Sequence, residues 1–550
     1  MHTTNLKQPE TITINGSNLS LEQVWDVARG ISEDGKPLYA KVKIDDDAAN
    51  KLLEVRSYIE ENWLKENAPP IYGFNTGVGS LKDYNIGTAE NNQFQKQIIE
   101  SHCAGIGEPA EQDVIRATML IRANALLKGV SGIRLIVVTR LIDMLNAGVH
   151  PVIPQQGSVG ASGDLAPLAH LVSALVGHPE AEAYFKNERM SAQDALTAAG
   201  ITPVEFQMQA KDVLAMINGC TFTMGFACLA MKDAEALYEN ASIACALSME
   251  AMRGEMAAFD DRIQQARNHP GQIQSAEKIR ELLEGSQWVT EDARRIALPD
   301  EDRQGEYKSR IQDAYSLRCV PQVHGAALDT FTFVRQTLER EMNAATDNPL
   351  IFPIEEGQYE MLSGGNFHGE HLAFAMDFLK IAVHEIGNIS ERRSARFLDS
   401  KLSYGLPFNL VGSEVGLNTG FTLAQCAASS IVSENKALCF PLSADSIPTK
   451  ANQEDHVSNS TAAARKAQEV TANARKIIAI ELLCACQAIS IAEKTLNELD
   501  RGPKTKLVYE AVRKEIPPMV EDRYVHRQMK TAQAFVDTNS LVDLLAGHKY

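Results

Sequence analysis

Apolar positions recur every three to four residues along most of the chain, the period of helices that bury one face. Two stretches show it plainly, AEQDVIRATMLIRANALLKG (110–129) and IRLIVVTRLIDMLNAG (133–148). Each stops at a glycine, the residue that most readily takes the left-handed conformation closing a helix. Ahead of them the pattern is mixed. TITING predicts a short strand and an Asn-Gly turn, and SLEQVWDVARG predicts a helix opened by a capping box of Ser20 with Gln23 and closed at Gly30. From about Val204 onward long helical patterns dominate, and the run from Ser460 to Leu499 contains neither Pro nor Gly. A helix of about 40 residues would extend about 60 Å, which predicts long helices stacked in an elongated bundle. Bundles of that kind expose apolar stripes that other subunits cover, so a homo-oligomer is expected. The pattern divides the chain into a loop-rich N-terminal region (1–203), a long-helix bundle (204–500) and a C-terminal helical segment (501–550). The charged string PDEDRQGEYKSR (299–310) reads as a solvated connector.

Composition narrows the partners. The 550 residues carry a net charge of -18 with no basic block, which argues against a nucleic-acid surface and for a small-molecule or protein partner. Nine cysteines, an odd number in apolar helical contexts, read as reduced, mostly buried thiols rather than a disulfide framework. The N-terminus has no basic stretch followed by an apolar one, so a cytoplasmic protein is expected. The most apolar segment, Ile477 to Ala492, holds Glu481 and Gln487 and falls short of the roughly 20 residues that span a bilayer. It predicts a core helix and no membrane partner.

The chemistry sits in the loops, at YGFNTGVGS, ESHCAGIGEP, GSVGASGD, INGCTFT, QDAYSLRC, LSGGNFHGEH and IPTKANQEDHVS. A metal reading of His368, Glu370 and His371 with Glu454, Asp455 and His456 meets poor spacing, because a zincin needs histidines at i and i+4 on one helical face. No metal is expected. GFNTGVGS lacks the lysine of a P-loop, and Ser162 is followed directly by Gly163 rather than sitting in a GxSxG elbow. The run GSVGASGDLAPLAH (157–170) supports two readings. Its small residues are a tight loop and helix start, or they are space for one peptide nitrogen to reach a neighbouring carbonyl.

GSVGASGDLAPLAH resembles the signature of the aromatic amino-acid ammonia-lyase and aminomutase family, and the other loops match that family in order from about Gly16 through the helices after residue 460. The resemblance implies a mainly α fold, an elongated long-helix bundle of the ammonia-lyase/fumarase type with a mixed, loop-rich N-terminal region. It implies that Ala161-Ser162-Gly163 cyclises to 4-methylideneimidazole-5-one (MIO) by attack of the Gly163 nitrogen on the Ala161 carbonyl and loss of two waters. It implies Tyr72 as the base for the substrate's β-proton, which requires a phenol pKa pulled down from about 10 by positive or hydrogen-bonding neighbours. Arg318 matches the residue that grips the substrate carboxylate, a role suited to a bidentate guanidinium. Asn218, Gln312 and Tyr315 match positions around the MIO and the amino-acid end of the substrate. Asn348 matches a further polar position and Phe367 the aromatic packed over the MIO. Active sites in the family combine loops of several subunits, so a homotetramer with shared sites is implied.

His102 in SHCAG and Glu454 in NQEDHVS resemble the pair that reads an imidazole in histidine-specific members, where both ring nitrogens need polar partners. The expected activity is elimination of ammonia from L-histidine to give urocanate. INGCTFTMG leans instead toward the aromatic lyases, which leaves tyrosine or phenylalanine ammonia-lyase, or a 2,3-aminomutase, as the alternative on the same scaffold.

Overall fold

The computed structural model describes residues 11–30, 39–65, 68–300, 310–355 and 357–547. Most of the string expected to be a connector, 301–309, lies outside them. Twenty α-helices account for most of the described chain, and the mainly α fold expected from the periodicity is what the chain adopts. Strands are short and form small sheets. Ile12–Ile14 pairs in parallel with Val42–Ile44, and Ile106–Pro109 pairs antiparallel with Pro154–Gln156. Val149–Pro151, Glu182–Phe185 and Glu188–Ser191 make a three-stranded sheet, and Leu350–Glu355 forms a hairpin with Gln358–Leu362.

The chain divides into two units. The first comprises Met1–Lys232, Val334–Asp377 and Pro441–Arg465; the second comprises Asp233–Phe333, Phe378–Phe440 and Lys466–Tyr550.

In the first unit the capping box forms as read. The Ser20 hydroxyl accepts from Gln23 N at 3.2 Å and the Gln23 side chain accepts from Ser20 N at 3.0 Å, opening the helix Leu21–Arg29. The helix Leu135–Ala147 ends at Gly148, whose φ of +80° is the left-handed closure its glycine foretold. The helix Gln112–Leu126 is buried along nearly its whole length, with Val114, Leu120 and Ile121 at 0 % exposure.

In the second unit, the apolar segment ahead of residue 492 is a core helix, and its two polar residues have buried partners. The Arg393 guanidinium donates to Glu481 at 2.5 and 2.8 Å, and the Ser248 hydroxyl adds a third bond at 2.7 Å. Gln487 accepts from Met519 N at 3.0 Å and donates to Met519 O at 2.8 Å. A buried carboxylate is tolerated only with such a partner set. The long helix predicted from Ser460 stops at Ala492, short of Leu499. Past Ala492 the chain runs on in turns, with Thr495 N bonded to Ala492 O and Leu499 N to Leu496 O; Leu496 is buried and Leu499 O accepts from the Trp288 indole at 3.1 Å. Among the described residues no helix is long and apolar enough to cross a membrane.

Candidate active site

A cavity of about 740 Å³ opens in the first unit. It is lined by Tyr72, His102, Ala161, Ser162, Asn218, Asn348, Phe367 and Glu454, eight of the twelve residues expected to form one site. Gly163 follows directly in the chain.

The tripeptide turn is shaped by three positive φ angles, +71° at Gly160, +55° at Ser162 and +65° at Gly163. Gly163 bridges Gly219, and a Cβ at position 163 would stand 2.3 Å from the Gly219 backbone. A Cβ at Gly160 would meet the Ser458 and Ser460 hydroxyls at the same distance. These glycines are therefore required by contact, not merely tolerated. Below the turn, buried Asp164 accepts from Thr223 N at 2.7 Å and from the hydroxyls of Ser158, Thr223 and Thr461 at 2.7 to 2.9 Å. Burial raises its carboxyl pKa, and these four donors oppose the rise. They fix the start of the helix Leu165–Leu175 and with it the tripeptide.

Glu454 meets the tripeptide from a distant segment. The Ser162 hydroxyl donates to Glu454 Oε1 at 2.5 Å, Lys450 Nζ donates to the same oxygen at 2.5 Å, and Thr449 Oγ1 bonds Oε2 at 3.1 Å. His102 is the last residue of the helix Asn91–His102, and its Nδ1 lies 2.9 Å from Ile98 O. A donating Nδ1 leaves Nε2 as the acceptor nitrogen. Burial pulls the His102 pKa down, so the ring stays neutral.

Asn218 caps the C-terminus of the helix Asp212–Ile217. Its Nδ2 donates to Asp347 Oδ1 and to Asn348 O, both at 3.2 Å, and its buried Oδ1 has no partner among the described residues. The side chain thus offers an acceptor. Asn348 Oδ1 accepts from Gly364 N at 2.7 Å and from Ser363 Oγ at 3.2 Å, which shapes the loop that carries Phe367. Tyr72 Oη accepts from Gly79 N at 3.1 Å. Burial raises the phenol above its usual value; Asp347 and Glu454 add to the rise, while Gly79 and Lys82 pull against it. The hydrogen bond expected around Tyr72 is present, but the balance of charge runs the other way.

The remaining three expected residues belong to the second unit and do not line this cavity. They form a cluster of their own. Arg318 donates to Gln312 Oε1 at 2.9 Å and to Asp313 O at 3.0 Å, and its guanidinium sits 4.7 Å from the Tyr315 ring centre. Tyr315 is 71 % exposed.

Two buried residues outside the expected set, Lys211 and Asp347, hold Asn218 from behind; Asp347 has a signal in its place next to Asn348 in TDNP, and Lys211 has none.

Residues 19–514 match the aromatic amino acid lyase family. Over 511 residues, 93 % of each chain, the sequence is 47 % identical to histidine ammonia-lyase 2 of Fusobacterium nucleatum subsp. nucleatum. The crystal structure of histidine ammonia-lyase from Trypanosoma cruzi is 36 % identical, with a TM-score of 0.84 over 98 % of this chain and 95 % of that one. Tyrosine aminomutase from Streptomyces globisporus is 34 % identical, with a TM-score of 0.87 over 98 % of both chains. The helical fold is thus shared with lyases and aminomutases that act on amino acids. The chain belongs to the aromatic amino acid lyase family.

Proposed function

We propose that this protein is a carbon–nitrogen lyase that eliminates ammonia from L-histidine to give urocanate. The observation that carries the reading is the 2.5 Å bond from Ser162 Oγ to Glu454 Oε1. It joins the tripeptide expected to become the electrophile with the carboxylate expected to read an imidazole. The relatives named histidine ammonia-lyase support the same substrate.

Ala161, Ser162 and Gly163 fit MIO as its precursor, because the left-handed backbone at Ser162 and Gly163 and the absence of room for a Cβ at Gly163 match a peptide folded back on itself. Once formed, MIO supplies the electrophile that makes the α-amino group a leaving group. The chain's own residues do the rest. Tyr72 Oη takes the β-proton. Asn218 Oδ1, with Nδ2 held by Asp347 and Asn348, accepts a hydrogen bond from the substrate amine. Glu454 and the neutral His102 address the ring nitrogens. Asn348 shapes the loop that sets Phe367 against the substrate.

The carboxylate grip of Arg318, with Gln312 and Tyr315, belongs in this account to a neighbouring subunit of a homotetramer. A guanidinium arriving from there adds to the pull that Lys82 already exerts on the Tyr72 phenol. Nine free cysteines suit a reducing, cytoplasmic setting.

A second reading, a tyrosine or phenylalanine lyase or aminomutase, is favoured by the likeness to tyrosine aminomutase. Incubation with histidine, tyrosine and phenylalanine, with each unsaturated acid followed in the ultraviolet, separates the two. Urocanate as the main product supports the proposal.

A further inference from the structure

Among the described residues, one group of side chains has the ligand types and spacing for a metal ion: His368, Glu370 and His456. The sequence spacing hid it, because His456 comes from 88 positions further along the chain. His368 lies just ahead of the helix Glu370–Leu398 and His456 two residues after Glu454, both in the first unit.

The three potential ligand atoms lie within 4.8 Å of one another. His456 Nδ1 is 3.5 Å from His368 Nε2, and the two rings are tilted by only 31° with centres 5.5 Å apart. Two imidazole nitrogens each about 2.0–2.1 Å from a tetrahedral ion stand roughly 3.4 Å apart, so this pair is close to bonding distance already. Glu370 Oε2 lies 3.8 Å from the other ring nitrogen of His368, Nδ1, and a Glu370 carboxylate oxygen is within 4.8 Å of the one nitrogen that each histidine offers. Glu370 Oε2 is buried and has no hydrogen-bond partner among the described residues. A buried carboxylate oxygen without a donor is an unfavourable arrangement that a cation would relieve.

We infer that His368 and His456, which line the cavity, form with Glu370 a divalent-cation site suited to Zn²⁺ or another ion that takes imidazole and carboxylate ligands. Two imidazoles and one carboxylate leave a fourth tetrahedral position for water. No step of the elimination described above uses these side chains. Bound metal ties the segment carrying Glu454 to the start of the helix Glu370–Leu398, so occupancy stiffens one wall of the cavity.

The full-length protein, stripped with a chelator and dialysed, is titrated with Zn²⁺ against a chromophoric competitor and with Co²⁺ by visible absorption. One ion per chain is expected, with micromolar or tighter affinity, a spectrum free of thiolate charge transfer and a Zn²⁺-dependent rise in Tm. His456→Ala, at an exposed position, and Glu370→Gln should each weaken binding by about tenfold or more. In His456→Ala the metal-free Tm should match that of the parent, while the Zn²⁺-dependent rise disappears. Millimolar affinity in the parent protein, thiolate bands, or undiminished binding in both variants would overturn the assignment. These readouts need no substrate, so they stand or fall apart from the histidine reading.

Discussion

Lys211 Nζ lies 2.6 Å from Asp347 Oδ2, with the two side chains 0 % and 1 % exposed. The pair sits behind Asn218, whose Nδ2 bonds to the other oxygen of Asp347. It also fastens Lys211 in a left-handed backbone conformation, φ +72°, that a lysine seldom adopts. Removing one partner of a buried pair strands the other charge, at a cost of about 3–5 kcal/mol. Lys211→Met should lower stability by that order in denaturant unfolding, and adding Asp347→Asn should restore part of it. A single variant as stable as the parent would contradict the role given to the pair.

Gly219 backs the tripeptide, and its φ of +132° with Thr346 Oγ1 only 2.5 Å from an added Cβ leaves no room for a methyl group. Gly219→Ala should displace Gly163 and block ring closure. The expected intact mass is that of the unmodified chain, whereas the parent is expected to be lighter by two waters. A Gly219→Ala protein that loses both waters would show that the close packing is not needed for closure.

In the proposed role Tyr72 acts as a base only when deprotonated, and its pKa is raised by burial. The active fraction is therefore small near neutrality and grows as pH rises. The kcat/KM for histidine should climb from neutral pH toward about 10, and Tyr72→Phe should lower it by about 10²–10⁴-fold and flatten the profile. A parent profile with no rise over that range would remove Tyr72 from the role.

His150 and His324 are buried and neutral, each with its pKa pulled down to about 3 by desolvation, aided by a nearby guanidinium. His150 accepts from Arg116 at 2.9 Å, an arrangement that protonation would break. The folded pKa is below the unfolded value of about 6.5, so their contribution is present above that pH and is lost as pH falls toward about 3. Tm should decline from about pH 6.5 downward, and His150→Gln should soften the decline. An unchanged Tm to about pH 4 would contradict it.

The residues that could be read from sequence stand beside small, unusual motifs. Ala161, Ser162 and Gly163 advertise themselves by the lack of side chains around them, Tyr72 and Phe367 lie in loops that interrupt a helical pattern, and His102 closes a helix just before such a loop. What stayed hidden depends on contacts across the chain. Lys211 meets Asp347 from 136 positions away, and His456, which the sequence offered beside His368 only as a poorly spaced metal set, meets it from 88. Periodicity shows that a helix buries a face, not which distant charge will complete it. The same limit explains Glu481, which reads as an anomaly in an apolar helix until Arg393 stands opposite. The helix from Ser460 ended early for a related reason: the absence of Pro and Gly permits a helix, but the burial of Leu496 and the Trp288 bond decide where it stops.

The central claim is that this cavity eliminates ammonia from histidine, and initial rates on histidine, tyrosine and phenylalanine test it most directly. The account predicts urocanate as the main product, with kcat/KM for histidine exceeding that for the other two by about 10²-fold or more, since a site built around hydrogen bonds to a ring discriminates strongly. Glu454→Gln and His102→Ala should remove most of that preference while the intact mass still shows the loss of two waters. No urocanate from the parent protein, or faster turnover of tyrosine or phenylalanine, would contradict it.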